Sequence, residues 1–160
     1  MDTAPPHRDS ERRSKQLNHM GDVLLGEART TAGPSADAML RAARIAFDEA
    51  LRLTPDMPEA LVGLGSVHLA MASRTIDSAE RDELLRRARQ ELLRAENLWG
   101  KAAAYNLARA CALEGDLTGC RDWLERAKAE LHLPPVAQVR TDPDLAAVRG
   151  EPWFAALLAP

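Results

Sequence analysis

Three segments of this chain repeat one side-chain pattern: small, large, small at offsets of 0, 4 and 7. They are Ala43, Phe47 and Ala50, then Ala88, Leu92 and Ala95, then Cys120, Leu124 and Ala127. These offsets fall on one face of an α-helix, where residues three and four apart are neighbours. The small members admit a neighbouring helix, and the large one fills the space between the two. Each face has an upstream anchor, an apolar residue followed by a small one: Met20-Gly21, Leu64-Gly65 and Leu107-Ala108, at intervals of 44 and 43 residues. One such face occurs in any helical protein; three in register with three anchors predict a repeated helix pair.

The rest of the pattern agrees. Ala and Leu dominate the chain, against two Ile, six Val, three Trp, two Phe and one Tyr, and β-branched side chains lose rotamers in helices. The apolar period begins at Ser14 with Leu17, Met20, Leu24 and Leu25. A second helix carries Leu40, Ala43, Ile45, Phe47, Ala50, Leu51 and Leu53 and stops before Pro55, which has no amide to offer. Pro58 suits the first turn of a third helix, and a fourth starts near Ser78 or Ala79. A fifth and a sixth, over about 101–114 and 117–131, are parted by Gly115-Asp116. The first two pairs hold ten or eleven extra residues, around 27–38 and 71–82. Eleven residues make about three helical turns, so these pairs are expected to have lengthened helices. Asp82–Arg86 and Glu83–Arg87, at i,i+4, support helix there. Gly33-Pro34-Ser35 predicts that the first pair keeps more loop.

Three regions follow: a disordered arm over 1–13, three helix pairs over 14–134, and a C-terminal helical cap over 135–160. The cap is expected as two short helices that set Trp153 or Phe154 against the sixth helix, because an uncovered end would expose apolar surface.

Several function classes find no support. The net charge of −3, with acids and bases interleaved, builds no field for nucleic acid. There is no apolar run long enough to span a membrane, and the opening residues lack the apolar core of an export signal; a cytoplasmic location is the default expectation. His7, His19, His68 and His132 show no zinc spacing. Gly63-Leu64-Gly65-Ser66-Val67 lacks the lysine of a phosphate loop, and no nucleophile elbow exists. The expectation is a chain without cofactor, metal or catalytic residues. Cys111 and Cys120 fall at inward, small-residue positions, and no CxxC motif points to redox work.

The 24 residues from Ala104 to Ala127, AYNLARACALEGDLTGCRDWLERA, keep the spacing of the tetratricopeptide repeat family, and the two earlier units resemble that family with insertions. The ending TDPDLAAVRGEPWFAAL resembles tails that follow the last repeat in some bacterial members. The resemblance implies an all-α, right-handed helical-hairpin solenoid whose first helices line a concave groove. It places Lys15, Asn18 and Asp22 of the first unit on that face. Glu59, Val62, Ser66 and Leu69 follow from the second, and Ala102, Tyr105, Asn106 and Arg109 from the third. Tyr105 and Arg109, one turn apart, are the expected anchors for a partner. The alternatives for them are a partly buried packing tyrosine and a solvated surface arginine. Some family members clamp the carboxyl terminus of a chaperone with Lys and Asn; Asn18, Asp22 and Val62 depart from that set. The implied function is a protein-interaction or scaffold module that holds a partner peptide or helix. The alternative is a small regulatory or self-assembling subunit of an enzyme or secretion complex. The implied partner is another protein, or a second copy of the chain.

Overall fold

The computed structural model describes residues 6–99 and 103–159. Every regular element among them is helical: α1 (Pro6–Thr30), α2 (Gly33–Leu53), α3 (Pro58–Ala72), α4 (Ser78–Trp99), α5 (Ala104–Glu114), α6 (Leu117–Ala129), α7 (Val136–Thr141), a 3₁₀ turn (Pro143–Val148) and α8 (Pro152–Leu157). Pro58, Pro143 and Pro152 stand at helix starts, where a missing amide costs nothing. Gly115 ends α5 in the left-handed region at φ 82°, and the Asp116 amide closes back onto Cys111 O at 2.8 Å. The Asp116 carboxylate then caps α6 by accepting from the Gly119 amide at 2.9 Å.

The helices pack as hairpins, α1 with α2, α3 with α4 and α5 with α6, and α3 touches both α1 and α5. This is the pairing of a helical solenoid. The repeated faces meet their anchors. Phe47 lies where a Cβ on Gly21 would be 2.7 Å away, and it also closes on Gly63 of the next hairpin. Leu92 lies against Gly65 in the same way, at 2.7 Å from such a Cβ. Leu124 shares a buried cluster with Ala108. Small residues are required at these anchors because the large side chain of the facing helix takes the space of a Cβ.

Most of the extra length lies in the outer helices. Phe47 stands fourteen residues after the start of α2 and Leu92 fourteen after the start of α4, whereas Leu124 stands seven after the start of α6. Two added turns of the outer helix therefore account for seven of the extra residues in each long unit. The projecting ends hold each other: Arg74 donates to Asp37 at 2.6 Å and to Gly33 O at 3.1 Å. Arg81 reaches the end of α5, donating to Leu113 O at 3.1 Å.

Four expectations about the hairpins need correction. Residues 6–13 are helical, not an arm; Lys15 pairs with Glu11 at 2.7 Å, and the Thr54 hydroxyl donates to Ser14 Oγ at 2.8 Å, tying this turn to the end of α2. Residues 1–5 lie outside the described residues, as do 100–102 of the expected fifth helix. The first hairpin has only Thr31 and Ala32 as loop, because Gly33, at φ 67°, turns the chain straight into α2. Ile45 is 59% exposed and does not join the core face of α2. Arg86 bonds Glu83 at 2.8 Å rather than Asp82, so Glu83 serves both Arg86 and Arg87.

The tail forms three short elements, not two. Val139, Leu145, Val148, Phe154 and Leu158 are buried in one cluster with Cys120 and Leu124 of α6. Lys128 of α6 donates to Leu157 O at 2.6 Å.

Candidate interaction groove

Side chains of α1 and α3, with the end of α4 and the start of α5, line an open groove of about 480 Å³. From α1 come Asn18, Asp22 and Arg29; from α3, Glu59, Val62 and Ser66; Trp99 and Asn106 complete it. A second hollow of about 580 Å³ shares Arg29 and Asn106 and runs on to Tyr105, Arg109 and the tail.

The tail already occupies the expected anchors. The Tyr105 hydroxyl donates to Asp142 Oδ2 at 2.7 Å. Arg109 donates to Asp144 Oδ2 from Nη2 at 2.6 Å and from Nε at 3.1 Å, and to Asn106 Oδ1 at 2.8 Å. Asp144 is buried, and its other oxygen accepts from the Ser73 hydroxyl at 2.8 Å. Asp142 also caps the 3₁₀ turn, accepting from the Asp144 amide at 2.9 Å. Burial, reinforced by the bond to Asp142, pushes the Tyr105 phenol far above its ordinary value. Tyr105 and Arg109 thus hold the chain's own Asp-Pro-Asp segment.

The open part of the groove carries charges that form no ion pair among the described residues. Arg29 makes no hydrogen bond or ion pair among the described residues; burial and the neighbouring charge of Arg109 push its guanidinium below the ordinary value. Asp22 receives only the neutral Asn18 amide, at 3.1 Å. Burial raises its carboxyl, against the opposing pull of His19 and Arg29. Glu59 is exposed and makes no hydrogen bond or ion pair among the described residues. Trp99 is 56% exposed.

Of the residues expected on this face, Asn18, Asp22, Glu59, Val62, Ser66 and Asn106 come together in the groove. Ser66 is buried, and its hydroxyl donates to Val62 O at 2.8 Å, so its proton is already used. Leu69 is fully buried in the core with Leu92 and Leu107 and does not line the groove. Lys15 lines a different hollow, beside Thr54 and Met57. Ala102 lies outside the described residues. Arg29 and Trp99 were missed. Arg29 falls among the extra residues around 27–38; its signal was its place seven residues after Asp22, on the same helical face.

Elsewhere, His68 is buried with Nδ1 2.8 Å from Glu91 Oε2, which ties α3 to α4. Cys111 and Cys120 are both free and buried; burial, with the nearby Cys111, pushes the Cys120 thiol up to about 12. No group of metal-ligating side chains stands together among the described residues, and no helix is long and apolar enough to cross a membrane. Comparison with protein-family models, curated proteins and solved structures found no match.

Proposed function

We propose that this chain is a tetratricopeptide-type protein-binding module, a right-handed solenoid whose concave groove holds a segment of another protein. The anchors Gly21, Gly65 and Ala108 with their large partners Phe47, Leu92 and Leu124 support the family reading. One observation carries the functional reading: α1 and α3 line a groove in which Arg29 and Glu59 form no ion pair among the described residues and Trp99 is exposed. Charges that a fold does not match internally are available to a partner, and aromatic and arginine side chains are the usual anchors of binding surfaces. The binding positions are Asn18, Asp22, Arg29, Glu59, Val62, Trp99 and Asn106. Tyr105 and Arg109 act one step removed, by holding the tail that closes one end.

Site-specific photo-crosslinking tests this. A photoreactive residue at Val62 should capture a partner in cells that make the protein, and one at Arg87, on the outer face of α4, should not. Capture at Arg87 alone would move the binding surface to the convex side.

A further inference from the structure

The groove has two electrical ends, and they select what can lie in it. We infer that its occupant is an extended peptide carrying a basic and an acidic side chain about three residues apart. The basic side chain sits among Asp22, Glu59 and Trp99, and the acidic one at Arg29. The inference rests on the groove being a protein-binding surface and adds the chemistry of the partner.

The placement follows from the packing. Gly21 and Gly63 abut the same Phe47 ring, so these points of α1 and α3 are level. Asp22 comes one residue after Gly21, and Glu59 one turn before Gly63. Trp99 belongs to this end: α4 runs back along α3, and its Arg94 donates to Pro55 O at 2.9 Å and Asp56 Oδ1 at 2.7 Å, just ahead of α3. Arg29 stands seven residues beyond Asp22, two turns on the same face, or about 10 Å. A chain extended as polyproline II rises about 3.1 Å per residue with three residues per turn, so side chains three apart share a face and span about 9 Å. Asn18 and Asn106 add side-chain amides to the groove wall. Asn106 Oδ1 is taken by Arg109 and Asn18 Oδ1 is buried, so what they offer is their remaining amide N–H groups, which can pair with the free C=O groups of an extended backbone; a helix has already used its own.

Simple neutralisation of Asp22 by Arg29 is the competing account, but the two form no ion pair. The neighbouring Arg109 shows what this region does with a guanidinium: it gathers the tail carboxylates, Asp144 at 2.6 Å and Asp142 at 3.4 Å. Arg29 feels the charges of Asp142 and Asp144 from farther off, but it bonds neither. At the other end, two carboxylates beside an exposed indole suit a Lys or Arg, which gains from both the charge and the ring face.

Phage-displayed random octapeptides panned against the full chain test the inference. The parallel targets are Arg29→Gln, Arg29→Glu and a groove-blocking Val62→Arg variant, each checked for unchanged helicity. Enriched peptides should carry Lys or Arg three or four residues from Asp or Glu. Arg29→Gln should lose the acidic preference, and Arg29→Glu should replace it with a basic one. A synthetic consensus peptide should bind roughly tenfold more weakly to Arg29→Gln and recover on Arg29→Glu once its acid is exchanged for Lys. Enrichment without the charge spacing, or an acidic preference that survives Arg29→Gln, would overturn the inference while leaving the groove as a binding surface. Peptides that bind Val62→Arg equally well, or no enrichment at all, would remove both.

Discussion

Asp144 joins two inner helices through one carboxylate: one oxygen accepts from Arg109 of α5 at 2.6 Å and the other from Ser73 at the end of α3 at 2.8 Å. The Arg109 side chain is 13% exposed and that of Asp144 6%. Removing one member of a buried pair strands the other and costs about 3–5 kcal/mol. Arg109→Ala should therefore lower unfolding stability by about 3 kcal/mol or slightly more, read from the urea midpoint. Tyr105→Ala should loosen the same tail, seen as faster amide exchange over 136–148. Variants with unchanged stability and exchange would show that the tail is not held by these bonds.

The anchor glycines admit a sharp test. Gly63→Ala would place a methyl group within the Phe47 ring, and overpacking of this kind costs about 1–3 kcal/mol. Phe47→Leu frees space at the ring position, so the double variant should lose less than the sum of the single losses. Strict additivity in thermal unfolding would mean that the two residues do not share the site.

Helices α5 and α6 end in the same hydrogen-bonded motif with different residues. In α5 the left-handed position is Gly115; in α6 it is Leu131, at φ 60°, with the His132 amide returning to Ala127 O at 2.9 Å. Leu131 is 92% exposed, so its side chain adds little packing. Leu131→Gly should raise stability by about 1 kcal/mol, and Gly115→Leu should lower it. A lower melting temperature for Leu131→Gly would contradict this account.

Glu83 is half-buried and accepts from both Arg86 and Arg87, which hold its carboxyl well below the ordinary value, at about 2. A depressed carboxyl contributes stability above its unfolded value, near 4.5, and that contribution fades as pH falls toward 2. Carbon-13 titration should find Glu83 still ionised at pH 3.5. A Glu83 midpoint near 4.5 would mean that the two arginines do not hold it in solution.

Helix pairing was legible because the small-large-small faces record contacts: Phe47 with Gly21, and Leu92 with Gly65. The length of the outer helices was legible in outline, since ten or eleven surplus residues suit helical turns. The tight first turn was not, because Gly33-Pro34 reads equally as loop or as a hairpin tip that enters a helix at once. The groove was read through the spacing of a shorter repeat. That spacing put Asn18, Asp22, Val62 and Asn106 on one face, where they line the groove, but it put the buried Leu69 there too and left out Arg29. The fate of Tyr105 and Arg109 depended on Asp142 and Asp144, over thirty residues away. No local pattern announces a contact of that range.

The unequal hairpins have a consequence for how such a chain can change. The outer helices of the first two hairpins run two turns, about 10 Å, farther past their buried Phe47 and Leu92 than α6 does past Leu124. Near that step, the Asp-Pro-Asp segment bridges Ser73 to α5. Tail and hairpin length are therefore matched parts. Trimming α4 back to the length of α6 would shift Ser73 relative to α5 and leave Asp144 without one of its two partners. Adding a fourth hairpin after α6 would displace the tail from the surface it covers. The array can grow or shrink only if its last segment is refitted at the same time, so the stopping point is set by the geometry of the step as much as by the number of repeats.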